Sequence, residues 1–147
     1  MAQDITNTIV RFFEAVDSRD WTGAEALMSD PFHLDYSSFG AGPAADMKPA
    51  DILAGWKGFL PGFDATQHQL GPLDITVDAD TARVRTCVSA SHFIGGADDG
   101  ALWTVVGTYD IALMRSRDWQ LSALTFNFKF QHGNLRLPQV AQGRASS

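Results

Sequence analysis

Asp17, Tyr36, His68 and His92 are the residues of this 147-residue chain whose types and placement could move a proton. An imidazole, with an unperturbed pKa of about 6.5, gives or takes a proton near neutrality. A carboxylate bonded to one ring nitrogen fixes the tautomer and stabilises the imidazolium. A phenol can then donate to an oxygen on which charge develops. Proton transfer is the chemistry such a set supports. His92 shares a strand face with Val84, Thr86, Val88 and Ala90 in the run ARVRTCVSASHFI, so its parity points it inward. His68 shares parity with Thr66 and Leu70 one segment earlier, and Asp17 lies one helical turn after Phe13 on a greasy stripe. A carboxylate and two imidazoles aimed at one interior are costly unless they have partners and a task.

Other chemistries find less in the sequence. There is no G-x-S-x-G elbow, and Cys87 has the opposite strand parity to His92. His33 and Asp35 alternate on the face opposite Tyr36, without further ligands at usable spacing, so no metal site is expected. Gly95, Gly96 and Gly100 mark a hairpin rather than a phosphate cradle, and no cofactor is implied. A net charge of −6 argues against nucleic acid as a partner, and Arg83 and Arg85 read as a solvated strand edge. The start, MAQDITN, lacks a signal-peptide pattern, and no apolar run is long enough for a bilayer; a cytoplasmic protein without membrane contact is the expectation.

The elements that must position these residues follow from periodicity. Ile5, Ile9, Phe12, Phe13 and Val16 recur at helical spacing. Asp20 can cap a short second helix carrying Trp21, Ala24, Leu27 and Met28, and Phe32, Leu34 and Tyr36 alternate as a strand. Residues 39–49 read as a loop, and a third helix starts near Pro49 with Ile52, Leu53, Trp56, Phe59 and Leu60 on its apolar face. From Thr66 onward the period is two, in long strands joined by short turns. The expectation is an α+β chain: three N-terminal helices packed on a strongly curved, mostly antiparallel sheet that encloses a pocket. One domain spans 1–130, and residues 131–147 read as a tail, disordered or packed on a neighbouring subunit. In the last strand, Leu124, Phe126, Phe128 and Phe130 either need a cover from another subunit or form the core, with Leu121 and Ala123 outward.

Three short motifs carry a family likeness: DSRDW at Asp17–Trp21, LDYSSF at Leu34–Phe39 and TQH at Thr66–His68. With the helix-then-meander order, they resemble the nuclear transport factor 2-like cone fold, its SnoaL-like branch, and within it the scytalone dehydratases. The resemblance implies a cofactor-free dehydration of a small hydroxylated cyclic ketone by acid/base catalysis. It implies that His68 takes the proton, and that His92 with Asp17 orients and protonates the leaving hydroxyl. It also implies that Tyr36 is one of two tyrosines holding a water on the carbonyl, and that Phe39 is a pocket wall. Val16 stands where the family places the second tyrosine, Thr108 is the nearest match to a polar pair on the penultimate strand, and Val88 shares the inner face of His92. A small apolar cyclic ligand and a homodimer or homotrimer are further implications. An isomerase or polyketide cyclase of the same fold, or a ligand-binding or association module without chemistry, are the alternatives.

Overall fold

The computed structural model describes residues Met1–Ser147. Helix α1 (Ala2–Asp17) buries Ile5, Ile9, Phe12, Phe13 and Val16, the stripe read from the sequence. Helix α2 (Trp21–Ala26) is capped by Asp20, whose side chain accepts from the Gly23 amide. It stops earlier than expected because Met28 already opens strand β1 (Met28–Asp35) and pairs with Leu121. A single 3-10 turn, Ser37–Phe39, follows, so Tyr36 sits just past the strand and not within it. The segment read as a loop also contains a three-residue strand, β2 (Ala45–Met47), which pairs with β1. Helix α3 (Pro49–Lys57) starts at the predicted proline.

The remaining strands are β3 (Ala65–Leu70), β4 (Asp74–Asp78), β5 (Thr81–Phe93), β6 (Leu102–Arg115) and β7 (Trp119–Gly133). They form one seven-stranded sheet in the order β2-β1-β7-β6-β5-β3, with β4 also on β5. Every pairing is antiparallel except that of β1 with β7, which is parallel. The parallel pair has a simple cause: β1 belongs to the helical half of the chain and returns to the sheet beside its last strand. The result is the curved α+β cone expected from the sequence.

Parity on β5 is as read: Ala82, Val84, Thr86, Val88, Ala90 and His92 face inward. On β7 neither of the two alternatives holds. An irregularity between Ala112 and Leu113 lets Leu121 and Leu124 both point into the core, with Phe126, because Ser122 is taken up as an extra residue. Phe130, past a second such shift at Val106/Gly107, stands 53% exposed.

Residues 131–147, read as a tail that is disordered or packed on a neighbouring subunit, instead complete β7 and fold back on this chain as a helix. Leu137–Ala145 form helix α4, whose Leu137 and Ala141 are fully buried. It packs over a 3-10 turn at Leu60–Gly62, and a Cβ at Gly62 would run into the Ala141 backbone, so only glycine admits this approach. Arg144 donates to Asp64 at 2.8 Å, and Asp64 also accepts from the Gly95 amide. Polar composition hid a helix because two buried apolar contacts suffice for nine residues anchored by an ion pair. No helix is long and apolar enough to cross a membrane.

Candidate active site

The end of α1 delivers the carboxylate. After Val16 the chain makes a tight reversal in which the Asp20 amide donates to the Ala15 carbonyl at 2.8 Å. Arg19 takes the left-handed conformation there, φ 64°. Asp17 is thereby swung toward β3. Its Oδ1 accepts from His68 Nδ1 at 2.8 Å and from the Thr66 hydroxyl at 2.9 Å; its Oδ2 accepts from the His68 amide at 2.8 Å. The carboxylate can only accept, so His68 carries a proton on Nδ1, and in the neutral ring Nε2 keeps the lone pair. Asp17 and His68 side chains are 13% and 12% exposed, so the pair is sheltered but reachable.

The resemblance pairs Asp17 with His92; the structure pairs it with His68. The cause is position in the ladder. Edge strand β3 lies beside the end of α1, whereas His92 is one strand further in, directly across from Thr66. His92 Nδ1 donates instead to the Trp103 carbonyl at 3.0 Å, and its ring lies tilted against Trp103 at 4.3 Å and Phe63 at 4.9 Å. His68 and His92 are diagonal neighbours on one face, with Cα atoms ~7–8 Å apart by sheet geometry.

Tyr36 finds a partner that the sequence reading did not name. Its hydroxyl lies 3.2 Å from that of Tyr109 on β6. Thr108, the residue chosen from this strand, points the other way: it faces the outer side of the sheet and accepts from Asn127 at 3.2 Å. Alternation along β6 would have marked Tyr109, since Trp103, Val105, Tyr109, Ile111 and Leu113 share its buried face. The phenol expected at Val16 thus comes from a strand, while Val16 itself is 2% exposed core.

Aromatic contacts close these parts into a circuit. Phe13 lies against His68 at 5.3 Å on one side and stacks on Tyr109 at 5.3 Å on the other. Tyr36 stacks on Phe126, Phe126 meets Phe39 edge-on, and Phe39 stacks on Trp103, which returns to His92. Phe39 packs against this aromatic cluster, and Val88 is buried on the inner face of β5. His33 pairs with Asp46 at 2.8 Å, and Asp35 accepts from the Ser37 amide and hydroxyl. No three His, Cys, Asp or Glu side chains converge as a metal set.

Electrostatics divides the roles. Burial pushes the Asp17 carboxyl up, but the hydrogen bond and charge of His68, its amide and the Thr66 hydroxyl outweigh this and hold it below the usual carboxylate value. Burial lowers His92 to about 4, against the opposing pull of its bond to the Trp103 carbonyl, so it is neutral at pH 7. Burial raises Tyr36 to about 12, and raises Tyr109 well above its ordinary value, so both phenols keep their protons.

A sequence model of the SnoaL-like domain matches residues 2–125. The chain belongs to the SnoaL-like family. A comparison with curated proteins gives no match. Among solved structures, the chain is similar to the Kfla4162 protein from Kribbella flavida, with 25% identity, a TM-score of 0.86 and 96% of each chain covered. It is also similar to a proposed scytalone dehydratase from Novosphingobium aromaticivorans, at 17% identity and TM-score 0.75, covering 90% of this chain and 86% of the other. A hexachlorocyclohexane dehydrochlorinase shares the fold at 13% identity and TM-score 0.72, covering 90% of this SnoaL-like chain and 87% of that one.

Proposed function

We propose that this SnoaL-like protein is a cofactor-free lyase that removes water from a small hydroxylated cyclic ketone. One observation carries the reading. A carboxylate-bound imidazole with a free Nε2, and a pair of protonated phenols, flank the same ring, Phe13. A substrate that reached both groups alongside Phe13 would meet a base at one end and hydrogen-bond donors for a carbonyl oxygen at the other.

The steps follow from these parts. His68 Nε2 takes the proton from the carbon beside the carbonyl. The C–H electron pair moves into the ring, and charge gathers on the oxygen held by Tyr36 and Tyr109. Collapse of this enolate breaks the β-carbon–oxygen bond, and the proton on His68 leaves with the hydroxyl as water. His68 is then neutral again, and Asp17 has stabilised the imidazolium between the two steps. His92, neutral with its Nε2 lone pair inward, accepts a hydrogen bond from the substrate hydroxyl and orients it; it holds no proton to give at pH 7. Phe39, Phe63, Phe126 and Trp103 provide flat apolar walls suited to a ring.

That state of His92 also favours a second reading, an isomerase, which needs a base and an oxyanion partner but no acid for a departing hydroxyl. One experiment addresses both. The protein is incubated with a panel of hydroxylated cyclic ketones, and products are read by mass spectrometry. Loss of one water that disappears in His68→Ala supports the lyase; His68-dependent rearrangement at constant mass replaces it with the isomerase. No His68-dependent product in the panel removes both.

A further inference from the structure

Arg19 is a residue that the reaction above does not use, and its placement is unusual. It occupies a left-handed backbone position, φ 64°, where glycine or asparagine is the less strained choice. Its side chain does not extend into solvent. Nη1 donates to Thr66 Oγ1 at 2.8 Å and to the Asp17 carbonyl at 3.2 Å, with a longer bond to the Val16 carbonyl at 3.4 Å. Nη2 donates to the Leu60 carbonyl at 2.9 Å.

The bond to Thr66 has a consequence for the dyad. A threonine hydroxyl has one proton. With a guanidinium donating to Thr66 Oγ1, that proton is left to point at Asp17 Oδ1, where the structure has it at 2.9 Å. Thr66 is 6% exposed, so water does not compete for either role. Asp17 Oδ1 is then fixed between the Thr66 hydroxyl and the His68 Nδ1–H. We infer that Arg19 is a positioning residue that acts through Thr66 to lock the Asp17 carboxylate against His68, holding the imidazole in the tautomer with Nε2 free. Other groups near Asp17 cannot replace this effect. The His68 amide fixes Oδ2 only.

The importance assigned to the lock rests on the lyase reading, but the lock can be tested without a substrate. A histidine Nδ1–H held on a carboxylate gives a downfield proton resonance, assignable here by its absence in His68→Gln. Thr66→Val keeps the shape of the buried side chain and leaves Arg19 bound to Leu60. Arg19→Ala removes the whole set. With native amide dispersion retained, the signal is expected to be lost, through exchange with solvent, in both variants, and restored only in part in Arg19→Lys, which cannot span all four acceptors. Retention of the signal in Thr66→Val overturns the inference whatever Arg19→Ala does, including failure to fold, because the route through Thr66 is then unnecessary. Loss of the signal in a protein that converts no ketone would leave the positioning role standing and remove the lyase reading alone.

Discussion

Replacing Asp17 by asparagine is the sharpest test of the dyad, because it keeps size while removing one acceptor. The carboxylate takes three donors: His68 Nδ1 and Thr66 on Oδ1, and the His68 amide on Oδ2. An amide has one acceptor oxygen and two N–H donors. If its oxygen keeps the Oδ1 position, its NH2 faces the His68 backbone N–H, a donor against a donor at about the observed 2.8 Å. If the amide turns over, its NH2 faces the imidazole, which must accept on Nδ1 and move its proton to Nε2. The base then presents a proton where it needs a lone pair. The first arrangement leaves a partly buried donor unpaired, at a cost of roughly 1–3 kcal/mol. The second leaves only the Thr66 hydroxyl proton without an acceptor and sets no amide donor against another donor, so it is expected to dominate. Turnover should fall about 10³-fold, equivalent to ~4 kcal/mol of barrier, within the range of general-base effects. Initial rates of water loss measure the first effect; ring nitrogen shifts of labelled His68 measure the second. Turnover within about tenfold of wild type, or a His68 ring still protonated on Nδ1, would refute the assignment. Stability gives an independent sign. Because the folded-state value of Asp17 lies below its ordinary 3.8, its contribution is present above that pH and is lost as pH falls through the lower folded value. Asp17→Asn should lack that acid-side loss in urea titrations.

Further outcomes follow from the same geometry. His92 binds its proton only near pH 4 when folded but near 6.5 when unfolded, so the folded state loses up to about 3 kcal/mol as pH falls from 6.5 to 4. Urea midpoints across that window should fall in the wild type and stay flatter in His92→Asn. Tyr36→Phe and Tyr109→Phe should each lower kcat about 10²-fold by removing one donor to the developing oxyanion, and equal losses in the two are expected because the hydroxyls form one pair. A kcat unchanged in both would separate the phenols from the chemistry. Gly62→Ala should push α4 off the Leu60–Gly62 turn at a cost of roughly 1–3 kcal/mol, read as faster hydrogen exchange in residues 137–145.

Most of the fold was legible because period and parity are local properties. The α1 stripe, the proline start of α3 and the inward set on β5 each follow from spacing within one element. Errors fell where a long-range contact decides. The Ser122 irregularity depends on β6 as well as β7, so no pattern in β7 alone could choose between Leu121 and Leu124. Helix α4 exists because Gly62, some eighty residues away, leaves room for it.

The candidate site divides along the same line. Inward parity placed both histidines, but parity does not say which of them a carboxylate reaches. That was settled by the edge position of β3 against the end of α1, which hands Asp17 to His68 and leaves His92 to a backbone carbonyl. The second phenol is the instructive case. The motif-based expectation looked for it in the helix, beside Asp17, and found Val16; strand parity, applied to β6, would have selected Tyr109 over Thr108. What the reaction needs is two hydroxyls within reach of one oxygen. A side chain from the sheet floor can meet Tyr36 as well as one from the helix wall, because both line the same interior. A second tyrosine introduced at Val16 would therefore not restore a missing part. It would have to enter a position only 2% exposed, next to a ring already stacked on Tyr109, and it should destabilise the protein by roughly 1–3 kcal/mol, without raising turnover.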